Sequence, residues 1–440
     1  MSVPSHPTRR TVVAGAAGFV TAAAMSGKGL AQSATTIRMW TFLNPTGNAP
    51  REKALAQIIA DFEAANPNVK IVVEPQVFDQ MTPKFIAAAR QGNAPDVIWA
   101  ITDLLGDAIK SGALADLNPL FINKWSDAQK KDHAGAYWDQ CAIDGKHYCV
   151  FQSRNYIGML YRVDLFKEAG IDAGKLTTWP AFIEAAQKLT VRDAQGQVTR
   201  YGFGQAWSEN QADPQLVATY LLAKQGNLFD DNGKARFATA AGIEGLTLQT
   251  EMVTKHNVTP RQAASWTVDD LYEQFAAGRV ATATGASVRV STVQAKMGKD
   301  KVGFMLYPGV DGKPHSPAVM AGWATGVWAG GRNRELAGRF VEYMASPEAD
   351  RHWVTAGGQT PVLGSTPARL AEFFAKPENE YLKVASQGSS TAGWMAPVAY
   401  GVGGYRQVLN KAAQEVVINN VSPKAAMEAA EAEFNRRNNR

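Results

Sequence analysis

Aromatic side chains and carboxylates or carboxamides recur together at three points early in the chain: Trp40 to Asn44, Val77 to Asp79, and Trp99 to Asp103. Carboxylates and amides hold hydrogen-bonding partners in fixed directions, and an aromatic ring covers an apolar face. Two carboxylates can also work as acid and base across one bond, and Asp79 with Asp103 can be drawn as such a pair. The competing reading places Trp40 and Trp99 in the core. Asp79 and Asp103 need partners or water in either case.

Other catalytic patterns are absent. The chain has no G-x-S-x-G elbow, no H-E-x-x-H, no G-x-x-x-x-G-K-[ST] loop and no dinucleotide glycine fingerprint after its first strand. Its six histidines are scattered, so neither a metal-bound water nor any cofactor is expected. The Asp-x-Asn-Gly fragment from Asp230 to Gly233 lacks the remaining ligands of a calcium loop and reads as an exposed turn. GVGG at 401–404 reads as a flexible turn. Cys141 and Cys149, the two cysteines, flank AIDGKHY. A three-residue turn at Asp144, Gly145 and Lys146 pairs Ile143 with His147, Ala142 with Tyr148 and Cys141 with Cys149. An oxidising compartment then predicts a disulfide, with two separate free thiols as the alternative. A two-residue turn spoils that pairing.

The elements that must position these groups alternate. TIRMW at 36–40 predicts a strand, and Leu55, Ile58, Ile59 and Phe62 recur at helical spacing between Glu52 and Ala65. Asn66-Pro67 stops that helix and VKIVVEP supplies a second strand. A helix from about Thr82 to Arg90, a turn at GNAP and a third strand at DVIWA follow. This order predicts an α/β unit with a largely parallel sheet, whose carboxyl-end loops carry the three clusters at one edge. A second such pattern begins after the cysteines, at NYIGMLYRVDLFKEAG, and Trp179-Pro180 opens another helix.

Arg9 and Arg10, an Ala-rich apolar run and small residues at Gly29 and Ala31 have the layout of a cleaved export signal, with the cut after Ala31. The paired arginines and Lys28 resemble a twin-arginine signal; an ordinary secretory signal is the alternative. With the three bases of this leader taken from 45, 42 remain against 40 acids, a net charge of +2. That balance gives no electrostatic reason for nucleic acid or an acidic membrane as partner. The 409 residues beyond the cut are long enough for two lobes.

QGNAPDVIWAITDLLGDAIKSGALADL at 91–117 resembles the signature of family 1 extracellular solute-binding proteins, the maltose-type receptors of ABC importers. The similarity continues in DGKHYCVFQSRNYIGMLYRVDLFKEAGI, TTWPAFIEAAQKL, YEQFAAGRVATATGAS, VGFMLYPG, AGWATGVWAGGRNRELAGRFVEYMASPEADRHWV and GGQTPVL, in order along nearly all the mature chain. The resemblance implies a two-lobed periplasmic-binding-protein fold of the α/β class. Each lobe is a mixed, mostly parallel sheet flanked by helices, and three hinge crossings near 152–157, 304–309 and 343–352 join them. The lobes are then 36–154 with 306–345, and 155–303 with 350–440.

The same resemblance implies a monomeric periplasmic receptor. It binds a sugar or small polyol in the cleft and delivers it to the permease subunits of an importer. Matching positions are Trp40, Asn44, Phe78, Asp79, Asp103, Gln152, Ser153, Asn155, Trp207, Gln211, Gly285, Ser287, Gly322, Trp323 and Trp394. Trp207, Trp323 and Trp394 would stack on a pyranose face, while Asp79, Asp103, Asn44, Gln152 and Asn155 pair with hydroxyls. Ser287-Val288 stands where many members carry an aromatic, which favours a small ligand over a long glycan. A glycerol phosphate ester is the alternative, with Arg154 or Arg406 as the anion's partner, and a glycan-acting hydrolase the weaker one.

Overall fold

The computed structural model of the chain describes residues 34–77, 80–133, 138, 141–208, 215–396 and 404–438. The expected export signal lies outside them. Strand β1 (Thr35–Thr41) buries Ile37, Met39 and Thr41 and leaves Arg38 and Trp40 half-covered, the alternation of a sheet strand. Helix Pro50–Ala65 follows, with proline in its first turn and Leu55, Ile58, Ile59 and Phe62 buried as their spacing predicts. The Asn66 amide donates to the Phe62 carbonyl at 2.8 Å, closing the helix where Pro67 forbids continuation. Strand β2 (Val69–Pro75), helix Met81–Arg90 and strand β3 (Val97–Ile101) complete the first unit, and both strands run parallel to β1.

One expected loop is absent and another starts two residues later than expected, at Phe42. Strand β3 continues through Ile101 and helix Thr102–Lys110 starts at once, so Trp99 is a fully buried strand residue and Asp103 sits in a first helical turn. Trp40 likewise belongs to β1 itself. Buried apolar pairing on both faces of β3 extended the strand past the point where polarity alone ends it.

The hairpin β4 (Ala142–Ile143) and β5 (Lys146–His147) is one residue tighter than the expected one. It pairs Ile143 with Lys146 and Ala142 with His147. Asp144 and Gly145 both take positive φ, 52° and 76°, the geometry of a two-residue turn that matches strand twist. Tyr148 therefore stands opposite Cys141, donating its amide to the Cys141 carbonyl at 3.0 Å. The two sulfurs nonetheless meet at 2.8 Å, unbonded and buried.

Strand β6 (Val150–Arg162) begins five residues earlier than NYIGMLY indicates and serves two sets of partners. Along Val150–Tyr156 it pairs antiparallel with β11 (Ala318–Val327); from Ile157 to Tyr161 it pairs with β9 (Val280–Ala286). The short β7 (Val191–Arg192), β8 (Val198–Gly204), β10 (Val302–Met305) and β12 (Gly393–Trp394) complete the described strands. The sheet order is β2-β1-β3-β11-β6-β9-β8-β7, with β10 on β6 and β12 on β11. The result is the two-lobed α/β fold, each half a mixed sheet. One hydrophobic core underlies both halves. A second, containing Trp207, Phe229, Tyr405 and Phe434, is assembled by helices Gln215–Gln225, Ala240–Thr254, Tyr405–Asn419 and Pro423–Arg437.

Helix Pro347–Thr355, assigned in part to the second lobe by the expected boundary, packs on the first. His352 bonds Asp61 at 2.8 Å and Trp353 stacks on Trp99 at 5.1 Å. No described helix is long and apolar enough to cross a membrane.

Candidate functional site

The expected residues converge where β11 lies between β3 and β6. Trp323 is opposite Ile101 of β3 and Ser153 of β6, and Gly322 is opposite Arg154. The register then slips, so that Ala324 faces Phe151 and Gln152 has no residue of its own across the ladder. Such a bulge re-aims one side chain. Gln152 is 1% exposed; its Oε1 accepts from the Thr325 hydroxyl, and its Nε2 has no partner among the described residues. Asn155, two positions past Ser153, is equally buried. Ser287, at the end of β9, takes the Tyr156 carbonyl with its amide at 2.9 Å and meets the Thr360 hydroxyl at 3.2 Å. Gly285 faces Gly158, and a Cβ there would stand 2.2 Å from the Tyr272 hydroxyl oxygen.

An aromatic wall lies beside this seam. Phe42, just past β1, has its ring centroid 4.4 Å from that of Trp323 and 5.8 Å from that of Trp99. The Arg51 guanidinium lies over the same ring at 4.9 Å. Phe42 was not among the sequence-derived candidates, although a phenylalanine directly after a strand that ends in a sheet edge is the available signal. Arg51 was also missed. It is a cation in a helix's first turn, against the sign that the helix dipole favours. That misfit is visible in the sequence once the helices are placed.

Other expected residues are elsewhere. The Trp40 indole donates to Glu74 at 2.8 Å, on the same carboxylate that Arg38 holds, which ties the ring to the outer strands β1 and β2. Asn44 is exposed and its side-chain oxygen accepts from Thr46, shaping the loop after β1. Trp207 is fully buried in the second core with no partner for its indole N–H among the described residues, so no face of it is open in this conformation. Trp394 is half-buried, pairs with Val319 and stacks on Phe229 at 6.3 Å. Phe78, Asp79 and Gln211 lie outside the described residues, as do the side chains of Asp103, Ser153 and Arg154. Arg406 turns its Nε to the Tyr405 hydroxyl within the second core.

The electrostatics separate structural charges from the site. Arg38 first, and the Trp40 indole after it, hold the Glu74 carboxyl below its ordinary range. Burial, followed by the hydrogen bond from Cys149, pushes the Cys141 thiol up. Arg51 is displaced the other way for a base: burial first, then the charge of Arg289, lower it to about 9, while Asp269 and Glu52 oppose the shift. No group of three or more His, Cys, Asp or Glu among the described residues is placed to hold a metal.

A family profile for bacterial extracellular solute-binding protein matches residues 47–351. The maltodextrin-binding protein of Bacillus subtilis is 26% identical over 300 residues, 66% of each chain. The mannitol-binding protein of Pseudomonas aeruginosa is 27% identical over 329 residues, 72% of this chain and 70% of that one. Among solved structures, an ABC transporter solute-binding protein of Thermotoga lettingae bound with alpha-D-tagatose aligns with TM-score 0.77 at 20% identity, over 92% of this chain and 99% of the other. UgpB of Mycobacterium tuberculosis in complex with glycerophosphocholine aligns at 0.76 and 17%, over 92% and 98%. At such identities the structural likenesses speak for the fold.

Proposed function

The chain belongs to the bacterial extracellular solute-binding protein family, and on that premise we propose that it captures a sugar or small polyol between its lobes for an ABC-type importer. Gln152 carries the reading. A carboxamide buried at a bulge, with an N–H that has no partner among the described residues, on the strand that pairs with the one carrying Trp323, is arranged to take a hydroxyl while a ring takes an apolar face. The relatives named for maltodextrin and mannitol support this ligand class.

In this reading residues 1–31 form the export signal and the mature receptor works in the periplasm as a monomer. The expected lobes, 36–154 with 306–345 and 155–303 with 350–440, then shift at the last crossing, because the packing of helix Pro347–Thr355 on Asp61 and Trp99 adds it to the first lobe and starts the final stretch of the second after Thr355. Gln152 of the first lobe and Asn155 and Ser287 of the second lie around the strand-partner change in β6, where in this reading a ligand touches both lobes. Ligand then favours the closed form by bridging them, and the permease subunits read that form.

Two measurements test this. Mass spectrometry of small molecules released from freshly purified mature protein identifies a carried solute. Solution scattering with and without it shows whether the radius of gyration falls. A protein that binds no solute in a broad thermal-shift screen is not a receptor of this kind, and turnover of a glycoside would make it a hydrolase.

A further inference from the structure

Helix Pro347–Thr355 packs over the aromatic wall, and the chain leaves it through Gly357-Gly358. Gly358 takes φ +65°, and a Cβ there would stand 2.4 Å from Ser291, so glycine alone fits this turn without displacing its neighbours. The turn folds the next residue back, and the Gln359 amide donates to the Trp353 carbonyl at 3.0 Å. Beyond it the Thr360 hydroxyl meets Ser287 at 3.2 Å, and the Val362 amide donates to the buried Asp350 carboxylate at 3.0 Å. Gln359 is thus pinned on both sides, by the helix before it and by the residue just past β9 after it.

Gln359 is 0% exposed, yet neither its Nε2 nor its Oε1 has a partner among the described residues. A buried carboxamide with both ends unpaired is costly unless a further group pairs with it. Trp353 stacks on Trp99 at 5.1 Å, and the indole N–H of each also lacks a partner among the described residues. Trp99 stands opposite Thr325 on the same face of the sheet, and the Thr325 hydroxyl donates to Oε1 of Gln152, leaving Nε2 of that amide over. Contacts therefore run without a break from Gln152 through Thr325, Trp99 and Trp353 to Gln359. Along this run the unpaired groups are four nitrogens and one oxygen, all on uncharged side chains. No charge is there to meet a carboxylate, a phosphate or an ammonium group. Hydroxyls, which accept and donate at once, match such a set.

We propose that Gln359 is a specificity-determining residue, whose carboxamide works with that of Gln152 to read adjacent hydroxyls of a neutral sugar or polyol. This rests on the receptor reading and narrows its ligand class to uncharged compounds with a vicinal diol. One hydroxyl accepts from Nε2 of Gln359 and its neighbour donates to Oε1, a pairing that depends on the relative configuration of the two carbons. A compound lacking either hydroxyl leaves a buried amide end unpaired, which is a strong basis for rejecting it. In the receptor reading Gln152 belongs to the first lobe and Gln359 to the second, so a ligand held by both favours the closed form.

Calorimetric titration tests this with glucose, mannitol and glucitol and with the monodeoxy forms of each, on the unaltered protein, Gln359→Met and Gln359→Leu. Methionine keeps the length of glutamine and removes both polar ends. For each parent compound that binds, at least one deoxy form is expected to bind about tenfold more weakly than the parent. Gln359→Met should erase that difference by weakening the parent alone, and Gln359→Leu should do the same. The ligand-free melting temperature of Gln359→Met should equal or exceed that of the unaltered protein, because two unpaired buried polar atoms are gone. If Gln359→Met weakens parent and deoxy forms equally, or melts lower with affinity unchanged, Gln359 is a structural residue paired with internal water and the proposal is overturned. Tighter binding of gluconate than of glucitol overturns the restriction to uncharged ligands. A preference that survives in Gln359→Met overturns the proposal and leaves the receptor reading standing, whereas binding of none of the compounds by the unaltered protein overturns both.

Discussion

Cys141 and Cys149 are expected to be joined in the exported protein. Their sulfurs stand 2.8 Å apart in a hairpin whose turn closes one residue earlier than a symmetric pairing requires. Joining them ties a nine-residue loop. Chain-entropy bookkeeping for a loop of that length gives about 2.6 kcal/mol of stabilisation through the unfolded state. With an unfolding entropy near 2.1 cal/mol/K per residue, that is roughly a 3 °C change in melting temperature for a chain of this size. The assay has two parts. Thiol titration in denaturant should find no free thiol in protein recovered from the oxidising compartment and two after reduction. Thermal melts should then shift down on reduction by about that amount, while the Cys141→Ser, Cys149→Ser double variant ignores the reductant. Two titratable thiols in the protein as isolated, or an unchanged melt on reduction, would refute the reasoning. Burial bears on the chemistry as well: it pushes the Cys141 thiol up, so the thiolate that attacks a disulfide is scarce until the hairpin opens.

Three further outcomes are expected. Trp394→Ala should weaken sugar binding by about 1–3 kcal/mol if its half-exposed ring stacks on ligand, measured by titration; unchanged affinity assigns the ring to packing on Phe229 alone. Gly285→Ala places a methyl 2.2 Å from the Tyr272 hydroxyl and should destabilise by about 1–3 kcal/mol in urea unfolding, since that core must shift to admit it. The Glu74 carboxyl is held below its ordinary range by Arg38, so its contribution to stability is complete above the unfolded carboxyl value and disappears as pH falls through the lower folded one. Glu74→Gln should therefore flatten the acid limb of melting temperature against pH, and an unaltered limb would count against this ion pair.

Local signals gave the first unit away. Leu55, Ile58, Ile59 and Phe62 mark one helical face, and the runs at VKIVVEP and DVIWA mark strands, because burial there follows short-range periodicity. The family pattern supplied the two-lobed fold. Two things depended on distant partners and were not legible. Strand β6 extends back to Val150 because β11, far along the chain, pairs with it. Trp40 leaves the site because Glu74 on a neighbouring strand holds its indole. The hairpin register was open to reading, since Asp-Gly is the usual two-residue turn, but the cysteine spacing argued for the longer one. At the site, Gln152, Asn155, Gly322 and Trp323 do gather on adjacent strands, whereas the stacking of Phe42 on Trp323 joins two strands that no local pattern relates.

The place of β11 between β3 and β6 has a consequence for synthesis. The ribosome releases β3 by residue 101 and β6 by residue 162, yet the strand that separates them, 318–327, arrives more than 150 residues later. Until then both neighbours expose unpaired edges, the templates on which chains aggregate. Assembly of the first half has high contact order and must wait for most of the polypeptide. A nascent chain of this kind depends on being kept apart from its siblings until residues 318–327 have emerged.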